Sequence, residues 1–294
     1  MKTFFTRTAS ALVFVAVMLG GILWADYTFF LLFFLIGCFA LQEYFKLIRH
    51  IDPDYASVPA WHKWGATIAG AAILLTFTGN NFQIAQIPTG LIGWWIAVIF
   101  LLVMPLGEVL MSKDFSLKNI GYSAIGLLYI VIPFGLLINI RLNAINIHYT
   151  PLDVGTAPGW LIPLLLIIFI WINDTMAYIV GSLIGRTPFA PAISPKKTIE
   201  GTVGGMILAV ATAGVYGHFW GGGYLALQHW IALALIAAVF GTIGDLIESK
   251  LKRMAGVKDS GSIMPGHGGF MDRFDSLLLA APFAWIYVQF FMMA

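Results

Sequence analysis

Charge is scarce in this chain. Asp, Glu, Lys and Arg together make up 10% of its 294 residues, against about 25% in soluble domains. So few charges cannot furnish a water-facing surface for a chain of this length, which excludes a soluble fold. Cysteine is nearly absent. Cys38 is the only one, so a disulfide or a cysteine-based metal site within one chain is excluded. No linker rich in Pro, Ser or charge divides the sequence, and it contains no internal repeat.

Apolar residues are abundant, at 60%, and they come in long runs rather than periodic stripes. A bilayer core is about 30 Å thick, so a spanning helix needs roughly 20 apolar residues. Nine runs are candidates: Ser10–Trp24, Tyr27–Tyr44, Lys63–Thr78, Leu91–Met111, Ile120–Ile140, Gly159–Ile184, Gly201–Trp220, Leu227–Asp245 and Asp275–Met293. The third is short and rich in Gly and Ala, and the sixth is long enough to tilt. The expected fold is all-α, a polytopic integral membrane bundle of about nine transmembrane helices.

The net charge of +2 says little, but the placement of the cations says more. With nine spans, fifteen of the sixteen Lys and Arg residues fall on one side, and only Arg141 falls on the other. The positive-inside rule then puts the N-terminus in the cytosol and the C-terminus outside. The expected location is the inner (plasma) membrane. The first run has the charged start and apolar stretch of a signal peptide, but no A-x-A-like cleavage site follows it. It is therefore expected to stay as a span.

The two halves differ. Residues 1–158 form an N-terminal transmembrane region of five spans with mostly short, weakly charged connections. Residues 159–294 hold four spans and two long polar cytosolic loops, 185–200 and 246–274, marked by Pro188, Pro191, Pro195 and Pro265. Polar loops held by a rigid scaffold are where function concentrates. In the second loop, Asp245, Glu248, Ser249 and Lys252 share one face if the eighth helix continues, since they stand at i, i+3, i+4 and i+7. Pro265-Gly-His-Gly-Gly269 follows, and its glycines let the backbone come close to a ligand. Asp272 and Asp275 then stand at the start of the ninth span. Acids at helix–membrane junctions are costly without a partner. Carboxylates beside five cations suit a metal-assisted phosphate site, because Mg²⁺ is usually held by one or two carboxylates plus substrate phosphates. For Lys250 and Lys258, an ordinary positive-inside loop is an equal reading.

The same segment resembles the signature of the phosphatidate cytidylyltransferases, or CDP-diacylglycerol synthases. Ser249, Leu251, Lys252, Arg253, Lys258, Asp259, Gly261, Pro265, His267, Gly268, Gly269, Asp272, Arg273 and Asp275 stand at that family's spacing. Met264 replaces its usual Leu, Ile or Phe. A second stretch is similar too: Asn173-Asp-Thr-x-Ala-Tyr178, Gly181, Gly185-Arg186 and Ser194-Pro-Lys-Lys-Thr-x-Glu-Gly201. Glu43-Tyr44 is a weaker family-like feature. Asp174 lies about 16 Å inside its span from Gly185, at roughly 1.5 Å per residue, so it should face a polar cavity or a partner.

The resemblance implies that CTP and phosphatidate give CDP-diacylglycerol and pyrophosphate, with the lipid phosphate attacking the α-phosphorus. It implies Mg²⁺ on Asp245 and Asp272, with Asp275 as a further ligand or a partner of the ligands, and it allows a second cation. Ser249, Lys252 and Arg253 are expected at the phosphates as catalytic groups beside Asp245 and Asp272. Asp174, Ser194, Lys196, Lys197, Lys258, His267, Gly268, Gly269 and Arg273 are expected to bind substrate. A basic cap over lipid headgroups is the other reading of Ser194, Lys196 and Lys197, and His267 is not assigned as a base. No nucleic-acid partner is expected, and a homodimer is allowed. The competing classes are a membrane transporter, for which nine spans and an acid at Asp174 would serve, and a cytidylyltransferase acting on an isoprenoid-ether lipid phosphate. The charged residues gather at one interface rather than along a path, which favours an enzyme. A CDP-alcohol phosphatidyltransferase is disfavoured, because the chain has no Asp-Gly-x-x-Ala-Arg motif.

Overall fold

A computed structural model of the chain describes residues 2–111, 116–143, 158–221, 224–262 and 268–292. It is built from helices α1 (Lys2–Leu23), α2 (Asp26–Ile51), α3 (Pro53–Ala56), α4 (Ala60–Thr76), α5 (Thr89–Met111), α6 (Leu117–Gly126), α7 (Ile132–Leu142), α8 (Leu161–Ile184), α9 (Ile199–Phe219), α10 (Leu227–Met254) and α11 (Met271–Phe291). A π-turn at Leu127–Val131 joins α6 to α7. Two short antiparallel hairpins complete the described structure: β1 (Gln83–Ile84) with β2 (Ile87–Pro88), and β3 (Pro188–Ala190) with β4 (Ser194–Thr198).

The nine apolar runs all fall on helices. Seven stretches are long and apolar enough to cross a membrane: α2, α5, Leu117–Leu142, α8, α9, α10 and α11. Helix α4 has 17 residues, and the apolar part of α1 is Ser10–Leu23. The chain is thus an all-α, multi-pass membrane protein. It forms two compact units that interleave in sequence. The first is Met1–Asn139 with Leu251–Phe274, and the second is Ile140–Lys250 with Asp275–Ala294.

The first unit has an aromatic and aliphatic core in which Phe33 and Phe134 both meet Phe274, at ring separations of 6.2 and 5.8 Å. It also buries a polar chain. His62 contacts Glu108 through Nδ1 at 3.0 Å and Ser123 Oγ through Nε2 at 2.8 Å, and Ser123 Oγ meets the Tyr55 hydroxyl at 3.0 Å. A buried polar group costs free energy unless it is hydrogen-bonded, and here each group satisfies the next. The chain has the residue types of a hydrolytic triad, but His62 is 0% exposed and Glu108 1%. No substrate reaches it, so it holds α4, α5 and α6 together.

The second unit depends on small residues. A Cβ on Gly201 would stand 2.7 Å from the Ala177 carbonyl oxygen, and one on Gly205 would stand 2.7 Å from that of Asn173. Helices α8 and α9 therefore cross almost backbone to backbone. Membrane helices associate this way because lipid supplies no hydrophobic drive between them. A Cβ on Gly244 of α10 would stand 2.5 Å from the Asp275 carbonyl oxygen of α11. That approach sets Asp275 beside Gly244, the residue preceding Asp245. Gly205→Val is expected to force α8 and α9 apart, costing roughly 1–3 kcal/mol as overpacking does. A lowered thermal unfolding midpoint in detergent would register it, and an unchanged midpoint would refute the close crossing.

Candidate active site

The second unit contains a cavity of about 430 Å³ between α8, β4, α9 and α10. Its lining includes Asn173, Asp174, Tyr178, Lys196, Lys197 and Asp245, with the hydroxyls of Ser182, Thr198, Thr202 and Thr242. The volume lies within the roughly 300–1,000 Å³ of small-molecule sites. The acid deep in α8 is thus exposed to a polar space, as the cost of a carboxylate in a membrane span demands.

Each wall is held in place locally. Thr198 caps α9 by accepting the Gly201 amide at 3.2 Å. The Glu200 carboxylate accepts the Arg186 amide at 3.1 Å and the Thr187 hydroxyl at 2.7 Å. These bonds tie the end of α8 to the start of α9 and so fix the hairpin carrying Ser194, Lys196 and Lys197. Lys197 forms an ion pair with Asp245. The Ser249 hydroxyl donates to Asp245 Oδ1 at 3.2 Å, one turn along α10. Asn173 donates from Nδ2 to Asp174 Oδ1 at 3.3 Å and to Thr242 Oγ1 at 3.4 Å. Its own Oδ1 is buried without a hydrogen-bond partner, an acceptor left for something that enters.

The first unit holds the glycine-rich segment. Asp272, in the first turn of α11, takes donors on both oxygens. Lys252 Nζ donates to Oδ1 at 2.7 Å. The Ser260 amide and the Gly269 amide donate to Oδ2 at 2.8 Å each, and the Ser260 hydroxyl lies 2.9 Å from the same oxygen. Gly268 has φ +82, the left-handed region that glycine occupies at least cost. A Cβ there would also stand 2.7 Å from Asp272 Oδ2. Both reasons favour glycine at this turn.

The expected site residues therefore divide. Asp174, Ser194, Lys196, Lys197, Asp245, Ser249 and Asp275 belong to the second unit, and Lys252, Arg253, Lys258, Gly268, Gly269, Asp272 and Arg273 to the first. His267 lies outside the described residues. The continuation of α10 to Met254 puts Asp245 and Ser249 on one face, whereas Glu248 is fully buried. Asp275 is half-buried, and its Oδ1 accepts the Ser276 amide at 2.7 Å. Sequence reasoning gave no role to Asn173, Thr202 or Thr242, which line the cavity, nor to Ser260. The Asn173 signal was present, because an amide next to an intramembrane acid needs a partner of its own.

No three His, Cys, Asp or Glu side chains converge among the described residues. The donors in the cavity are oxygens: the carboxylates of Asp174 and Asp245, the orphaned Asn173 Oδ1 and several hydroxyls. Such a set fits Mg²⁺, which takes one or two carboxylates and fills its remaining positions with water and phosphate oxygens. It does not fit a thiolate- or imidazole-bound transition metal.

Comparison with known proteins gives a consistent result. Residues 5–291 match the cytidylyltransferase family. The phosphatidate cytidylyltransferase of Bacillus subtilis is 30% identical over 293 residues, which cover 97% of this chain and 96% of that protein. That of Staphylococcus saprophyticus is 31% identical over 284 residues, 94% and 95% of the two chains. That of Staphylococcus haemolyticus is 32% identical over 285 residues, again 94% and 95%.

Proposed function

The chain belongs to the cytidylyltransferase family, and from that premise we propose that it transfers the cytidylyl group of CTP to phosphatidate, giving CDP-diacylglycerol and pyrophosphate. The observation that carries the reading is the cavity in the second unit, where Lys196, Lys197, Asp174 and Asp245 meet in a space of nucleotide size. An oxygen of the lipid phosphate bonds to the α-phosphorus of CTP. The bond from that phosphorus to the β-bridging oxygen breaks, and pyrophosphate leaves with the electron pair. The attacking oxygen is already ionised, so no protein base is required. The barrier lies in bringing two anions together, and the chain lowers it by positioning and by neutralising charge.

Lys196 and Lys197 stand on the hairpin at the cavity wall and supply positive charge to phosphates. Lys197, engaged with Asp245, exchanges that carboxylate for a phosphate when nucleotide enters. Ser249 orients Asp245 through its hydrogen bond. Lys252, Arg253, Lys258 and Arg273 contribute further positive charge along the second loop. Mg²⁺ is the proposed cofactor; Asp174 and Asp245 in the cavity of the second unit would hold it, and Asp272 in the first unit and Asp275 in the second are candidate ligands each within its own unit. When bound, it would supply positive charge to the phosphate oxygens and so ease the departure of pyrophosphate. The N-terminus is proposed to lie in the cytosol, with the site opening to that side of the plasma membrane. One substrate is dissolved there, and the other is held in the bilayer by its acyl chains.

Purified protein incubated with α-labelled CTP and phosphatidate is expected to form labelled lipid and pyrophosphate in equal amounts. A chelator is expected to stop the reaction and added Mg²⁺ to restore it. No labelled lipid under saturating Mg²⁺ would overturn the reading. Labelling of an isoprenoid-ether phosphate in preference to phosphatidate would replace the lipid while keeping the reaction.

A further inference from the structure

We infer that Glu43, on α2, is a positioning residue for this reaction: its carboxylate holds Ser260, Phe270 and Met271 where they orient Asp272 and Lys252. The inference rests on the proposed function for the role of Asp272, but its geometry stands within the first unit alone. Glu43 is 1% exposed, so it touches no substrate. Its Oε1 accepts the Phe270 amide at 3.1 Å, and its Oε2 accepts the Met271 amide at 2.8 Å, with the Ser260 hydroxyl 2.9 Å away. Phe270 precedes α11 and Met271 opens it, where the first amides have no intrahelical acceptor and the helix dipole favours an anion. Glu43 serves as the cap of that helix from 228 residues away in sequence.

Two glycines make the approach feasible. A Cβ on Gly261 or on Gly269 would overlap the Glu43 carboxylate. The Pro-Gly-His-Gly-Gly pattern therefore owes at least one of its glycines to an acid on another helix. One turn before Glu43, the Phe39 ring stacks on Phe270 at 5.2 Å and 11°. The side of α2 that carries the acid thus also grips the loop through an apolar contact.

The groups that bind Glu43 also bind Asp272, or adjoin groups that do. The Ser260 hydroxyl lies 2.9 Å from both carboxylates and can donate its one proton to either. The Gly269 amide donates to Asp272, and the next two amides donate to Glu43. If Glu43 releases the loop, Asp272 loses the two amides and the hydroxyl that fix its Oδ2, and Lys252 loses its fixed partner.

The test compares Glu43→Gln and Glu43→Asp with the unaltered protein. Gln puts an amino group where one oxygen now accepts. Glu43→Gln is expected to lower kcat about 100-fold, the cost of an ångström of misplacement, while the KM for CTP stays within about threefold. The Mg²⁺ concentration for half-maximal rate is expected to rise about tenfold, as when an outer partner of a metal ligand is lost. Mn²⁺ affinity read by electron paramagnetic resonance should weaken in parallel. Amide exchange should accelerate at residues 268–272 and stay unchanged in α4 and α5. Glu43→Asp, which keeps the charge, should recover part of the loss. Unchanged kcat and metal requirement would overturn the inference. So would a kcat that falls only in proportion to the folded fraction, because that is the mark of a merely structural residue. If Glu43→Gln does not fold, Ser260→Ala cuts the same link from the loop side and should shift the metal requirement in the same direction; no shift would overturn the inference. If the unaltered protein makes no labelled lipid, the proposed function fails, while exchange at 268–272 still decides whether Glu43 holds the loop.

Discussion

Asp245→Asn is expected to lower turnover about 100- to 1,000-fold, the scale seen when one preorganised electrostatic group is removed from an active site, while the protein stays folded and still binds CTP. Asn has the size of Asp and can still accept the Ser249 hydroxyl, but it carries no charge. Lys197 then loses its counter-ion in the cavity. The pair is partly open to solvent, with side-chain exposures of 27% for Lys197 and 25% for Asp245, so its loss costs at most about 1 kcal/mol of stability. A free Lys197 attracts the nucleotide more strongly, and one source of repulsion is gone. The KM for CTP should therefore hold steady or fall as kcat falls. That split is the mark of an interaction made for the transition state rather than for ground-state binding. Steady-state kinetics and a thermal melt on the same preparation decide the matter. Activity within tenfold of the unaltered enzyme would remove Asp245 from the chemistry.

Much of the architecture is legible in the sequence because membrane helices announce themselves by hydropathy. The nine apolar runs need no long-range information, and each falls on a helix. The stripe from Asp245 to Ser249 is legible for the same reason, since helical spacing alone places the two one turn apart. What spacing does not reveal is which partner a side chain meets. Asp245 to Asp275 reads as one basic and acidic cluster, yet its residues divide between the two compact units. The division depends on backbone approaches such as Gly244 against Asp275, which a string of residues does not display. Glu43 is the clearest case. Its neighbourhood reads as an apolar span with one acid, and its partners lie 217 to 228 residues away. The usable signal was the cost of an acid in a span, which demands a partner without naming it. The glycine-rich loop conceals a partner in a related way. Its glycines suggest room for a ligand, but Gly269 leaves room for the carboxylate of Glu43.

Asp272→Asn should fail in a different manner from Asp245→Asn, losing both activity and stability. Here the carboxylate is a structural knot as well as a candidate ligand. Its two oxygens meet Lys252, the amides of Ser260 and Gly269 and the Ser260 hydroxyl. An amide in its place presents an amino group either to Lys252 or to two backbone N–H groups, so donors face donors. The ion pair is well shielded, with side-chain exposures of 15% for Lys252 and 7% for Asp272. Removing one partner of a buried pair strands the other charge, at a cost of about 3 kcal/mol or more. Turnover is expected to fall at least about 1,000-fold, with a thermal midpoint several degrees below that of Asp245→Asn. Lys252 supplies the control. If the stranded ammonium is the cause, adding Lys252→Met to Asp272→Asn should raise the midpoint again, because neighbours in one network are not additive. Activity should stay lost, since the carboxylate is still missing. A double variant no more stable than Asp272→Asn would mean that the amide contacts, and not the ion pair, make Asp272 structural.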